Sequence, residues 1–432
     1  MSSTLGWIDF SSEHRDRVKT ILDLLASPGV VDELGIGIIR DAFADYLFPG
    51  ISTLQTRAKY FIIVPRILKD YEQLPTTQRR RWSLEQYLND QEKKCRIRLV
   101  QKYGKKETLG IIGVSFGIRI DREVQRQPSS IYWNGLREFG IVRTDLSLAE
   151  FCRKHSDDHR SLGMVLEGTS EERGDDVDAD ETTPGPLSQL PKDEDWINRL
   201  AITLSEQEGD YLHRQIAATQ PDSLLGHIFR DTRALKEFLA LRKNATFDEM
   251  ASLPFITRLA NSHQLIDSRL AACVRQAKLF WDIFHGAHIR YNCILQDRFG
   301  ETSRKDEVDA EWADWRKSMR SFRWKEWDTH RLWEFVLAHR SNVKPWTRRF
   351  IEEWISLSNT LPTDSSKFNE VVTKQEERNK QTRARLRPDN EDEQVGKWIG
   401  IRTLDYRLPQ AIRIADDIYR AETGKAAAGA GL

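Results

Sequence analysis

Gly35 and Gly37, followed by Arg40 and Asp41, are the residues whose types and spacing come nearest to a chemistry. Glycine amides ahead of a helix can hold a phosphate or carboxylate, and Arg40 would sit within one turn of it. A nuclease or a nucleotide-dependent factor could be built on that corner. Against it, the stretch has no P-loop Lys-Ser/Thr, no third glycine and no strand leading in, and a turn that lets two helices pack uses the same glycines. Arg40, Asp41 and Asp45, with Arg57 and Lys59 further on, could line a cleft or form an ion-pair network between two antiparallel helices; the network is the favoured reading. Two carboxylates four apart would need a metal or a raised pKa to catalyse, and no third acid accompanies them, so no catalytic residue is assigned.

Two histidine pairs invite a metal. His155 and His159 stand four apart, which suits zinc on a helix, with Asp157 and Asp158 between them; no third ligand follows, and a solvated helix end is expected. His285 and His288 flank Gly286 in apolar surroundings, as core histidines at a helix crossing would. No metal and no cofactor is expected. GxSxG, HExxH, Walker and kinase signatures are all missing, so the motifs give enzymatic activity no support.

Phosphate binding has better local grounds. Gln91–Arg126 carries ten Lys or Arg against four acids, with Arg96, Arg98, Lys102, Lys105 and Lys106 at its centre. Glu311–Arg349 carries ten against five, with Arg316, Lys317, Arg320 and Arg323 interleaved with tryptophans. Cations beside aromatic rings suit nucleic acid, single strands above all. The competing reading makes the tryptophans core and the cations the wet side of the same helices.

The elements that must position these residues read as helices. Ile39, Ala42, Phe43, Tyr46 and Leu47 recur at helical spacing until Pro49-Gly50, and Ser52 with Gln55 has the spacing of a capping box for the next helix. Phe61–Leu68 is apolar nearly all round, with Pro65 inside it, and predicts a buried hub. Ser83 with Gln86, Ser147 with Glu150, Ser205 with Glu208 and Thr246 with Glu249 are further capping boxes. PSSIYWNGLREFGI predicts a short helix capped by Ser129 or Ser130 and ended at Gly140. With the helix from Ser147 it could be a helix-turn-helix, although ordinary packing gives the same pattern. LGIIGVSFG has glycines too frequent for a helix and reads as a strand pair or a close-packed loop. Phe255–Phe284 is apolar-periodic and is expected to break at Gly286. Seven of the thirteen tryptophans lie in Trp312–Trp354. A charged helix is expected near Thr373–Arg387 and an apolar-periodic one over Ile412–Tyr419.

Composition sets the frame. The chain has 432 residues, 39% of them hydrophobic, and 66 basic against 66 acidic residues. Zero net charge leaves no global attraction to nucleic acid or acidic membranes. Residues 171–181 hold seven acids and one Arg, three prolines follow, and almost nothing there can be buried. The expected fold is mainly α: a helical domain over 1–166, an acidic disordered linker over 167–191, a Trp-rich helical domain over 192–424 and a flexible tail over 425–432. Two helical lobes result, with at most a short strand pair in the N-terminal one. Cys95, Cys152, Cys273 and Cys293 are far apart without a CxxC pair, as in reduced cytosolic proteins. The start lacks a signal-peptide pattern, and the longest apolar run, Tyr60–Pro65, is too short to span a bilayer, so no membrane association and a cytoplasmic location are expected.

DELGIGIIRDAFADYLFPGISTLQTRAKYF at 32–61, with a Trp-Ile-Asp start, PSSIYWNGLREFGI, FHGAHIRYNCIL and the LDYR of Leu404–Arg407, resembles a bacterial family of unknown function. The resemblance covers most of the chain outside the acidic segment and carries over no catalytic residue. Members of that family look like genes of anti-phage defence clusters, beside helicases and nucleases. It implies a non-catalytic accessory protein with a helicase or nuclease partner; DNA as a further ligand is an expectation from the basic runs alone.

Overall fold

A computed structural model describes residues 32–79, 81–157, 195–299, 302–340, 342–387 and 398–424. The segments read as an acidic linker and a C-terminal tail lie outside these, as does the Trp-Ile-Asp start. The described residues form seventeen α-helices and no strand. In chain order they are α1 (Gly37–Leu47), α2 (Tyr60–Glu72), α3 (Thr76–Arg79), α4 (Leu84–Tyr103), α5 (Pro128–Glu138), α6 (Leu148–Asp157), α7 (Glu206–Thr219), α8 (Leu224–Arg230) and α9 (Thr232–Leu239). There follow α10 (Phe247–Ala251), α11 (Pro254–Ala260), α12 (Leu265–Phe299), α13 (Thr302–Arg320), α14 (Thr329–His339), α15 (Pro345–Thr360), α16 (Ser366–Lys380) and α17 (Leu408–Glu422). LGIIGVSFG is a loop of two 3-10 turns, not a strand pair, because Gly110, Gly113 and Gly117 all sit at positive φ.

Local signals explain most helix starts. The capping boxes at Ser83/Gln86, Ser205/Glu208 and Thr246/Glu249 form reciprocally, and Ser147 and Glu150 exchange the same bonds. The one expected at Ser52/Gln55 does not form. Gln55 instead donates its side-chain amide to the Gly50 carbonyl, and the helix waits until Tyr60. Likewise α5 starts on Pro128 with Gln127 as N-cap, since proline at the first position needs no amide partner, and neither Ser129 nor Ser130 caps it. At Gly286 the expected break is absent: α12 runs through it for 35 residues. A Cβ there would lie 2.0 Å from the Trp315 indole, so this glycine admits a ring rather than ending a helix.

Two compact units divide the chain, and neither is one continuous stretch. The first holds the described residues up to Ile38 and those of Leu279–His330 and Asn342–Leu404. The second holds those of Ile39–Lys278, Arg331–Ser341 and Asp405 onward. Contacts within the second unit therefore tie together residues from both sides of the acidic segment.

In the second unit α2 is the hub. Tyr60 to Pro65, Ile67, Leu68 and Tyr71 are buried, and α4 and α5 pack on it. Helix α17 lies against α7 and α9. Trp133 of α5 meets Phe151 of α6 at 4.9 Å, which makes the helix-turn-helix pattern a packing contact. In the first unit Trp312, Trp315, Trp354 and Phe368 form one aromatic cluster. The Trp315 and Trp354 indole N–H groups donate to the carbonyls of Asp282 and Ile283, so these rings are core with their polar edges satisfied. No helix among the described residues is long and apolar enough to cross a membrane.

Candidate functional site

The glycine corner is already filled by the chain's own carboxylate. Asp32 accepts from the amides of Ile36 (3.0 Å) and Gly37 (2.8 Å), which are the donors a phosphate would need. Gly35 sits at φ +70° while Asn379 donates to the Asp32 and Glu33 carbonyls and Gln375 to that of Leu34. Arg40 pairs with its neighbour Asp41 at the surface.

Arg57 and Lys59 face elsewhere. The Arg57 guanidinium grips Asp417 of α17 (2.8–3.1 Å), and the same carboxylate takes the Ala58 amide. Buried Lys59 meets Glu208 at 2.6 Å, and Arg66 meets the other oxygen at 3.1 Å. Glu208 also accepts the Ser205 amide in its capping box. The expected five-residue cluster is thus divided among separate ion-pair sets rather than gathered in one cleft.

What α1 does contribute to a cleft is Asp45. Arg407 donates to Asp45 (2.6 Å) and to the Ile51 carbonyl (2.8 Å), and Arg340, at the end of α14, donates to the second Asp45 oxygen. Asp41 stands 3.8 Å from Arg407. Arg407 and Tyr406 both lie in the left-handed region, at φ +69° and +48°. Side chains rarely adopt it, and each such residue costs on the order of 1–3 kcal/mol. Tyr406 is fixed by its hydroxyl donating to Ala277 (2.7 Å), and Arg407 by its own amide on Asp405 (3.0 Å). The LDYR segment and the α1 signature, far apart in sequence, therefore meet at Asp45. Around them opens a polar cleft of about 610 Å³, with Glu138, Asp222 and His339 among its walls.

Beside it in the same unit lies a groove of about 530 Å³ between α12 and α14, where Phe43, Leu265 and Phe335 stand among Arg269, Gln276, Arg331 and Glu334. Phe43 stacks on Phe335 at 5.0 Å, and Tyr46 meets Phe335 edge-on at 5.2 Å. Tyr46 and His339 line both cavities. Leu265 on the groove wall is 73% exposed, and Ile266 and Leu337 are exposed on the same two helices.

The expected basic patches divide in the same way. Arg96 is buried and donates to the Arg119 and Arg122 carbonyls, while Arg98, Lys102, Lys105 and Lys106 are exposed, Lys102 reaching the Leu200 carbonyl. Arg316 donates to the carbonyls of Leu361 and Pro362 and lies over the Trp312 and Phe368 rings. Lys317, Arg320 and Arg323 are exposed, with Arg323 paired to Glu326.

Of the paired histidines, His155 and His288 are core and His285 is half-buried. His155 is buried against Phe151, contrary to the solvated end expected, and His159 lies outside the described residues. His288 is fully buried with neither ring nitrogen partnered, and burial pushes its pKa down to about 3. All four cysteines are free thiols in the core.

Asp417, Glu208, Arg340 and Arg407 were missed as partners because separations of 149 to 362 residues leave no periodic trace. Only the LDYR segment flagged one of them. No curated protein and no solved structure matches the chain. Residues 1–422 match the model of the Family of unknown function (DUF6361), and the chain belongs to that family.

Proposed function

We propose that the protein works by binding, as a non-catalytic accessory subunit of a bacterial anti-phage defence complex that positions a helicase or nuclease on DNA. The observation that carries this reading is the exposed Leu265, Ile266 and Leu337 beside a groove in which Phe43, Tyr46 and Phe335 stand among charged side chains. An exposed apolar surface with a polar rim is what a protein partner covers. The signature charges support it too, since Arg57 and Lys59 are held in ion pairs with Asp417 and Glu208.

The test is affinity purification of the tagged full chain from its native cell. A helicase or nuclease encoded beside it should co-elute, and Leu265→Asp with Leu337→Asp should abolish that while leaving the melting temperature unchanged. No co-eluting helicase or nuclease sinks the proposal. If Arg40→Ala with Asp41→Ala keeps fold and partner but loses protection, a catalytic role at that corner replaces it.

A further inference from the structure

Arg349 of α15 and Arg378 of α16 line a cleft of about 450 Å³ together with Pro345, Trp346 and Gln381. Helices α15 and α16 pack against each other, which brings the start of one beside the end of the other. Neither arginine makes a hydrogen bond or ion pair with a described residue. Arg57, Arg66 and Arg407, by contrast, grip carboxylates, and Arg96 and Arg316 grip carbonyls, while Arg98 and Arg320, also without a described partner, stand outside this cleft. Lys344 adds a third cation, its Nζ 5.2 Å from the Trp346 ring centroid. Trp346 is half-buried, and its indole nitrogen has no partner. It differs in this from Trp315 and Trp354, whose N–H groups are bonded into the core. Gln381 closes the cleft in a left-handed conformation, φ +54°, of the kind found where a ligand is clamped.

We infer that this cleft binds single-stranded nucleic acid, with Arg349, Arg378 and Lys344 on successive phosphates and a base against the Trp346 ring. Unpaired guanidiniums lose no protein partner when they take a phosphate, and they can do so through two parallel hydrogen bonds. A planar indole at the edge of such a groove gives a base a surface that a duplex, with its bases stacked inside, cannot use. The inference rests on the nucleic-acid half of the reading above and gives it a place. That place is not either of the basic runs' central residues.

The experiment is fluorescence anisotropy of a labelled twelve-residue thymidine strand against the full chain. Binding should weaken with salt, the logarithm of the affinity falling with a slope of about 2 for three phosphate contacts. Arg349→Gln with Arg378→Gln should lose tenfold or more at an unchanged melting temperature. Trp346→Leu should lose about 5- to 150-fold, and Trp346→Phe should recover most of it. The inference is overturned if the double variant binds as the parent does, if a duplex of the same length binds as well as the strand, or if only thymidine monophosphate binds. An inert strand with a helicase or nuclease still co-eluting removes this inference alone. A bound strand that Trp346→Leu weakens, with nothing co-eluting, removes the accessory reading and leaves this one standing.

Discussion

Lys59 and Arg378 carry the same charge in opposite settings. Lys59 is buried, 2.6 Å from a carboxylate that also holds Arg66 and a helix N-cap amide. Arg378 borders an open cleft with a tryptophan and a second arginine, and neither arginine meets an acid among the described residues. The difference separates cations that hold the fold from cations that can meet a ligand. Sequence counts of basic residues put the two kinds together.

If that division is right, removing the shared carboxylate has the largest effect. Glu208→Ala would take a shared carboxylate from two cations, one of them buried, and breaking a buried pair in this way costs about 3–5 kcal/mol. Denaturant unfolding measures it. A loss below about 1 kcal/mol would mean that Lys59 finds water or another acid and that the pair is not structural.

Next in size is a pH effect with opposite signs in the two units. Glu92, in the second unit, is buried, and desolvation pushes its pKa up to about 8 against the Ser129 bonds that oppose it. Its folded form holds a proton that the unfolded chain releases above about 4.5, so its stabilisation is full below that pH and is lost as pH rises to 8. His288, in the first unit, is shifted down to about 3, so its stabilisation is full above pH 6.5 and is lost as pH falls to 3. Each pH unit inside a window changes stability by about 1.4 kcal/mol at most. Glu92→Gln should flatten the alkaline side of the stability profile and His288→Met the acid side. Identical profiles for the parent and both variants would show that neither group carries its shift.

Gly286→Ala should cost about 1–3 kcal/mol, because the new methyl meets the Trp315 ring and the core must shift. A neutral result would mean that the indole can slide without losing its bond to Asp282.

The same glycine shows what a sequence can tell. As a residue type it predicts a break; only the tryptophan 29 positions on, which no local pattern points to, turns it into a packing site. Capping boxes were legible because donor and acceptor lie three residues apart, as at Ser83/Gln86. The pattern at Ser52/Gln55 misled because the Gln55 side chain turns back to donate to the Gly50 carbonyl and the next helix starts only at Tyr60. The helical class, the α2 hub and the buried tryptophans followed from periodicity and burial. The candidate site did not, since Asp45 meets Arg407 across 362 positions and the Arg349–Arg378 cleft depends on which cations find acids.

The smallest expected effect on stability is the most telling for the comparison. Arg349→Ala with Arg378→Ala should change unfolding free energy by no more than about 0.5 kcal/mol, the range for surface positions without partners. Thermal and denaturant unfolding of the double variant would measure it beside Glu208→Ala. If it destabilises by 2 kcal/mol or more, the two arginines brace α15 against α16 and belong with Lys59. If it is neutral, the fold does not depend on the two arginines, and the mutual repulsion of two guanidiniums on one cleft is a small cost that a bound phosphate would remove.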